Sequence, residues 1–129
     1  MKKILLLDDN PQNNESYINK LKNKFYVEEC IWMDSAERLV TNNDFDVFVI
    51  DVMMPTQSLD TMDEIHTGFY FYKQRIKCLN LKCPIVFWSW LTESSYKEFW
   101  VIPPENTHFL HKEENNSHLV KFVESLFKK

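Results

Sequence analysis

Three aspartates stand where apolar runs of the chain end, and they are the first sign of chemistry. Asp8 and Asp9 follow the run Ile4–Leu7, and Asp51 follows the run Val47–Ile50. Carboxylates that lie close together repel one another, so such a cluster is stable only when a proton or a cation neutralises it. Hard oxygen ligands suit Mg²⁺, which keeps several waters and readily shares its coordination shell with a phosphate. The aspartates therefore predict a magnesium site.

Two further polar side chains close later apolar runs. Ser89 follows Ile85–Trp88, and Lys112 follows the short run His108–His111. A hydroxyl and an ammonium group that converge on a metal-bound carboxylate form a site for a phosphoryl group on that carboxylate. The pattern indicates phosphoryl chemistry on an aspartate.

The apolar runs are interpreted as strands that position these residues. Ile4–Leu7, Val47–Ile50 and Ile85–Trp88 are continuous and rich in branched or aromatic residues, which is typical of strands covered on both faces by helices. Phe25–Trp32 is more mixed, as expected of an edge strand, and His108–His111 is a short candidate for the last strand.

Helical patterns fill the gaps between the strands. Asn10 is a predicted cap with Pro11 at the first helical position, and Asp34 with Glu37 forms a predicted capping box for the second helix. Apolar residues at helical spacing mark three more helices, over 69–79, 92–100 and 119–126. Alternation of strand and helix predicts an α/β fold with a parallel sheet, whose ligands bind beyond the carboxyl ends of the strands.

Length, net charge and residue counts exclude several classes of protein. The 129 residues fit a single domain over 1–129, and the net charge of -4 argues against direct nucleic-acid or membrane binding. The one glycine, Gly68, excludes a phosphate-binding loop and a dinucleotide fingerprint, which both need several glycines. The odd set Cys30, Cys78 and Cys83 suits a reducing compartment, and the N-terminus resembles neither a signal peptide nor a membrane span. A cytoplasmic protein is expected.

The residues at the strand ends resemble, in order, the site of response-regulator receiver domains of two-component systems. The acidic pair is matched by Asp8 and Asp9, the phosphoacceptor by Asp51 with the "MMP" that follows it, the hydroxyl by Ser89 in "PIVFWSW", and the lysine by Lys112 in "HFLHKE". The resemblance spans the whole chain. It implies a doubly wound, flavodoxin-like parallel sheet of five strands in the order 2-1-3-4-5, with helices on both faces.

The resemblance also implies roles for the acidic residues. Asp51 would take a phosphoryl group from a sensor histidine kinase or a phosphotransfer protein in a Mg²⁺-dependent reaction. Asp9 would bind Mg²⁺ directly, Asp8 would bind it through water, and the backbone carbonyl of Met53 would be a further ligand.

The remaining implied roles concern the phosphoryl group and the response to it. Ser89 would donate to a phosphoryl oxygen, Lys112 would pair with its charge, and Phe109 matches the aromatic residue that swings inward as Ser89 moves. The family's output face is the fourth helix, the fifth strand and the fifth helix. That face would bind a downstream effector protein and would allow a homodimer.

The chain departs from the family pattern at three places. Glu113 stands where proline usually follows the lysine, so the usual cis peptide is expected to be absent. Trp90 stands where a small residue normally follows the hydroxyl. Residues 56–67 lengthen the loop before Gly68, and this insertion is interpreted as a lid or a partner surface.

Two functions from different classes remain open. The first is a phosphorylatable receiver, which catalyses its own phosphotransfer and slow dephosphorylation but acts as a signalling switch. The second is a pseudo-receiver, a protein-binding module in which Trp90 and Glu113 have ended phosphorylation. The five intact site residues favour the first. An aspartate-nucleophile phosphohydrolase is poorly supported, because Met53 occupies the position where such enzymes place a second acid.

Overall fold

Five parallel strands form one sheet in the computed structural model, which describes residues 1–113 and 115–128. The strands are β1 (Lys3–Leu7), β2 (Tyr26–Cys30), β3 (Val47–Asp51), β4 (Ile85–Ser89) and β5 (Thr107–His111). Their order is β2-β1-β3-β4-β5, and every neighbouring pair is parallel. The predicted strand order is confirmed, including the edge position of β2.

One helix follows each strand along the chain. The helices are α1 (Glu15–Lys22), α2 (Met33–Asn42), α3 (Thr67–Phe71), α4 (Glu93–Phe99) and α5 (His118–Leu126). A 3-10 turn, Pro11–Asn14, precedes α1. Helix α3 continues as a π-helix, Tyr72–Ile76, and a 3-10 turn, Lys77–Leu79, and these three pieces together are called the α3 segment. Within residues 1–113 and 115–128, no helix combines the length and apolar character needed to cross a membrane.

Both faces of the sheet are buried, which explains why the central strands are continuously apolar. Successive side chains of a strand point to opposite faces. Leu5 and Leu7 therefore pack in one core layer with side chains of α2, the α3 segment and α4, whereas Ile4 and Leu6 pack in the other layer with α1 and α5. The predicted doubly wound α/β architecture is confirmed.

The predicted capping box of α2 is wrong. The helix begins at Met33, whose backbone N–H donates to Oε1 of Gln57 at 2.7 Å. Asp34 and Glu37 instead bind the guanidinium of Arg75, at 2.7 Å and 2.5 Å. A cap from 24 residues away occupies the helix start, so the two acids are available for the cation on the α3 segment.

The predicted cap at Asn10 is only half right. Pro11 does stand at the first position of the 3-10 turn, but the side chain of Asn10 makes no capping hydrogen bond. The backbone N–H of Asn10 donates to Oδ1 of Asp8 at 3.0 Å. The turn therefore supplies a hydrogen bond to Asp8 and no side-chain cap to the helix.

Candidate functional site

The carboxyl ends of β1 and β3 bring the three predicted aspartates together. Leu7 pairs with Ile50 across these strands, so Asp8 stands level with Asp51. Asp8, Asp9 and Asp51 each offer a carboxylate oxygen within 4.8 Å of the others. In the described part of the chain, this is the one group of three or more His, Cys, Asp or Glu residues that could hold a metal ion.

The aspartates line a cleft of about 280 Å³ that opens at this edge of the sheet. The other lining residues are amides, one thioether, one indole and one ammonium: Asn10, Asn13, Asn14, Met53, Trp90 and Lys112. A cleft of this composition suits a small charged ligand.

Asp8 is held by the turn that follows β1. It is buried, and its Oδ2 accepts from Nδ2 of Asn14 at 2.8 Å while its Oδ1 accepts from the N–H of Asn10. Sequence reasoning missed Asn14. The available signal was an amide six residues after Asp8, within the turn that must cover the acidic pair.

Burial makes Asp51 and Asp9 hold their protons more tightly than isolated carboxylates do, and repulsion from neighbouring acids adds to the effect. Burial raises the pKa of Asp51 to about 7, helped by the charges of Asp8 and Asp9 and opposed by Lys112. Burial, and then the charge of Asp8, raise the pKa of Asp9 as well. A divalent cation would relieve this repulsion, so these residues fit Mg²⁺ by their oxygen chemistry and by their need for positive charge.

Lys112 places the opposite charge beside Asp51. Its Nζ lies 3.5 Å from Oδ1 of Asp51, and both side chains are buried. The ammonium also lies over the ring of Trp88, 4.4 Å from the centroid. The backbone N–H of Lys112 donates to the carbonyl of Ser89 at 2.6 Å, which ties the end of β5 to the end of β4.

Ser89 and Phe109 are two predicted site residues that do not line the cleft. Ser89 is fully buried at the end of β4, and its Oγ accepts from the N–H of Leu91 at 3.0 Å. It is not among the described residues that line the cleft. Phe109 on β5 is half-buried and stacks on Tyr96 of α4, with 5.5 Å between ring centroids.

Trp90 and Glu113, the two single residues that depart from the family pattern, leave the cleft open. Trp90 is 52% exposed and packs edge-on against His111, so its indole stands at the rim of the cleft. No cis peptide bond occurs in the described segments, which include Lys112 and Glu113. The carbonyl of Glu113 instead accepts from the hydroxyl of Tyr17 on α1.

The inserted segment 56–67 is fastened to α2 and to the α3 segment. Gln57 donates to the carbonyl of Ile31 besides capping α2, and Ser58 accepts from Arg75. Gln74 exchanges two hydrogen bonds with the backbone of Asp60. None of the residues that line the cleft comes from this segment, so the lid interpretation is not supported among the described residues.

A doubly wound sheet of this order, with three carboxylates and a buried lysine at the strand ends, defines the receiver fold. Solved structures of that class match the chain over nearly its whole length. Chemotaxis protein CheY4 of Vibrio cholerae is 26% identical, with a TM-score of 0.70 over 97% of this chain and 98% of that one. The Francisella response regulator 1452 receiver domain is 23% identical, with a TM-score of 0.74 over 98% and 97%.

A third similar structure was solved with ions in place. Response regulator TrrA of Thermotoga maritima, in complex with Mg²⁺ and BeF, is 18% identical, with a TM-score of 0.73 over 98% of this chain and 99% of that one. No family model matches the sequence, and no curated protein matches it either. The predicted resemblance to response-regulator receiver domains is confirmed by the structures.

Proposed function

We propose that this chain is a phosphoacceptor receiver in which Asp51 takes a phosphoryl group from a histidine kinase or a phosphotransfer protein. The observation that supports this most is the buried carboxylate of Asp51, which lies between an acidic pair and the ammonium of Lys112 in an open cleft. The similar structures are receiver domains, and one of them is a complex with Mg²⁺ and BeF.

Mg²⁺ is the cofactor in this proposal. Asp8, Asp9, Asp51 and the backbone carbonyl of Met53 would hold it. When bound, the ion supplies positive charge that neutralises the acidic cluster and the phosphoryl oxygens. The donor set fits that purpose, because Asp8, Asp9 and Asp51 each offer a carboxylate oxygen within 4.8 Å of the others.

Asp51 is the nucleophile. One of its carboxylate oxygens forms a bond to phosphorus as the phosphorus–nitrogen bond of the donor's phosphohistidine breaks, and the imidazole keeps the electron pair and takes a proton. Only the ionised carboxylate can attack. The ammonium of Lys112 at 3.5 Å favours that ionised form and then faces the transferred oxygens.

Ser89 and Phe109 would report the phosphoryl group to the rest of the molecule. The oxygen of Ser89 already accepts from Leu91, which leaves the hydroxyl hydrogen to donate to a phosphoryl oxygen. Movement of Ser89 would open space toward Phe109, whose ring now stacks on Tyr96 of α4. The face formed by α4, β5 and α5 would then bind a downstream effector protein or a second copy of the chain.

The proposal describes one receiver domain over residues 1–129 that works as a cytoplasmic phosphoprotein. It catalyses its own phosphotransfer and slow dephosphorylation, but its product is a signal. The pseudo-receiver alternative is not favoured, because Trp90 stands exposed at the rim and leaves the acidic cleft open.

Intact-mass analysis tests the proposal directly. Incubation with acetyl phosphate and Mg²⁺ should add one phosphoryl mass to the wild type and none to Asp51→Asn. Equal labelling of the two proteins would show that Asp51 is not the acceptor. The dependence of labelling on Mg²⁺ should be lost in Asp9→Ala, whereas Ser89→Ala should keep the half-saturating Mg²⁺ concentration of the wild type.

A further inference from the structure

Lys112 has a buried ammonium group, and its ion pair with Asp51 does not fix the orientation of that group. Its side chain is 4% exposed, so its ammonium has lost most of its water and needs compensation. The distance of 3.5 Å to Oδ1 of Asp51 exceeds the usual N–H···O hydrogen-bond range of about 2.7–3.2 Å. Asp51 therefore supplies attraction to this ammonium without a directed hydrogen bond.

Trp88 supplies a second, directed contact. Its ring centroid lies 4.4 Å from Nζ of Lys112, and the indole is 1% exposed. A cation over an indole face is attracted by the ring quadrupole, and the attraction grows when both groups are removed from water. Trp88 lies on β4, paired with Asp51 on β3 and with Leu110 on β5. The indole thus comes from the strand between the acceptor and the lysine.

Tyr17 of α1 fixes both partners of this contact. Its ring packs edge-on against Trp88, with 5.4 Å between centroids and 74° between planes. Its hydroxyl donates to the carbonyl of Glu113, the residue directly after Lys112. One side chain therefore holds the indole from one side and the backbone of the lysine segment from the other.

We infer that Trp88, braced by Tyr17, is a positioning residue that aims the ammonium of Lys112 at the phosphoryl site on Asp51. This role rests on the proposed phosphotransfer. An indole face attracts the ammonium without accepting a conventional hydrogen bond, so the three N–H groups of Lys112 stay available for phosphoryl oxygens. A polar partner in the same place would occupy one of those donors before the phosphoryl group arrives.

A set of variants separates this role from simple packing. The rate of phosphorylation by acetyl phosphate and Mg²⁺ would be measured by intact mass for the wild type, Trp88→Phe, Trp88→Leu, Lys112→Met and the Trp88→Leu, Lys112→Met double variant. Phe48→Leu is the matched control, because Phe48 is a fully buried aromatic residue of β3 that packs in the other core layer against Phe71. Thermal unfolding of each variant measures the packing loss separately.

Trp88→Leu should lower the rate of phosphorylation about tenfold, because a small displacement of a charged catalytic group weakens its contact with the reacting atoms. Trp88→Phe keeps an aromatic face and should recover most of the rate, and Phe48→Leu should lose stability but little rate. If Trp88 acts through Lys112, Trp88→Leu should change the rate very little once Lys112 is methionine. Equal effects of Trp88→Leu in the presence and absence of Lys112 would overturn the inference.

A second readout does not depend on phosphorylation. In proton–carbon NMR spectra, the ε-methylene protons of Lys112 should show a ring-current shift that disappears in Trp88→Leu and decreases in Tyr17→Phe. A wild type that shows this shift but takes no phosphoryl group overturns the proposed function, and with it the positioning role, while the contact itself stands. A wild type that is phosphorylated but shows no shift overturns the positioning role alone.

Discussion

The backbone N–H of Gly68 donates a 2.8 Å hydrogen bond to the carbonyl of Val52, the residue after the proposed acceptor. A Cβ on Gly68 would lie 2.7 Å from Cα of Val52 and 2.8 Å from the carbonyl oxygen of Asp51. Real Cβ atoms do not come this close to backbone atoms, and no positive φ is involved at this glycine. The single glycine of the chain is therefore required by the close approach of α3 to the end of β3.

Replacing Gly68 with alanine should disturb both the fold and the site. The added methyl group meets backbone on two sides, so we expect a loss of about 2 kcal/mol in the free energy of unfolding, typical of overpacking. Phosphorylation of Asp51 should slow as well, because the added methyl group displaces the backbone carbonyl of Asp51. Urea unfolding and intact-mass kinetics measure the two effects. Lys73→Ala, an exposed change in the same helical segment, should stay within about 0.5 kcal/mol, and an equal loss there would contradict the explanation.

The sheet and the main site residues could be predicted because each strand carries its own signal. A strand buried on both faces, such as Val47–Ile50, has to be apolar at every position, so the polar residue that ends it is conspicuous. Parallel strands then place those ends at one edge, which is why Asp8 and Asp51 meet.

The sequence-based predictions fail where side chains bind partners that are distant in the sequence. Asp34 and Glu37 have the spacing of a capping box, but Gln57 caps α2 and Arg75 takes both acids. Nothing near α2 in the sequence shows these partners. The cation–π contact of Lys112 with Trp88 was likewise hidden, because it depends on the directions of two side chains, one on β4 and one just after β5.

The pKa of Asp51 predicts how stability depends on pH in the absence of metal. Its folded-state value of about 7 lies above the ordinary 3.8, so between these values the folded protein holds a proton that the unfolded chain has lost. Asp51 therefore lowers stability progressively as pH rises from about 4 to 7. Asp51→Asn cannot lose a proton, so its stability relative to the wild type should rise by about 4 kcal/mol over that range, the amount that a rise in the pKa of Asp51 from 3.8 to about 7 implies.

Urea unfolding in a chelator at several pH values measures this difference. Asp44→Asn, which removes an exposed carboxylate before β3, is the control for a change in surface charge. A difference between Asp51→Asn and the wild type that does not vary with pH would contradict burial as the cause.

The fastening of the inserted segment predicts a local effect of Gln57. Its side chain accepts from the N–H of Met33 and donates to the carbonyl of Ile31. Gln57→Ala should cost about 1 kcal/mol, the usual value of a helix N-cap, and should speed hydrogen exchange at the start of α2. Gln12→Ala, at an exposed position, is the matched control. Unchanged exchange at Met33 would show that the segment does not cap α2.

The apolar side chains of Met53 and Leu91 predict a long-lived phosphoryl group. In the family, the residues two past the acceptor and two past the hydroxyl influence how water reaches the phosphoryl group, and here they are Met53 and Leu91. Neither side chain can orient a water by a strong hydrogen bond. Loss of phosphoryl mass after removal of the donor should be slow, and severalfold faster in a Met53→Asn, Leu91→Glu double variant. A wild type that loses the group faster than this variant would refute the prediction.

Trp90 decides between an active receiver and a pseudo-receiver. Its indole is 52% exposed and rests edge-on against His111 at the rim of the cleft, 6.0 Å between ring centroids. An indole in that place restricts passage without filling the space above Asp51, so we expect a gate. Trp90→Ala should speed both phosphorylation by acetyl phosphate and hydrolysis severalfold, because access improves in both directions. Trp32→Ala, which removes another exposed indole outside the cleft lining, should change neither rate. If the wild type accepts no phosphoryl group from any donor and Trp90→Ala does, the indole is a plug and the chain is a pseudo-receiver.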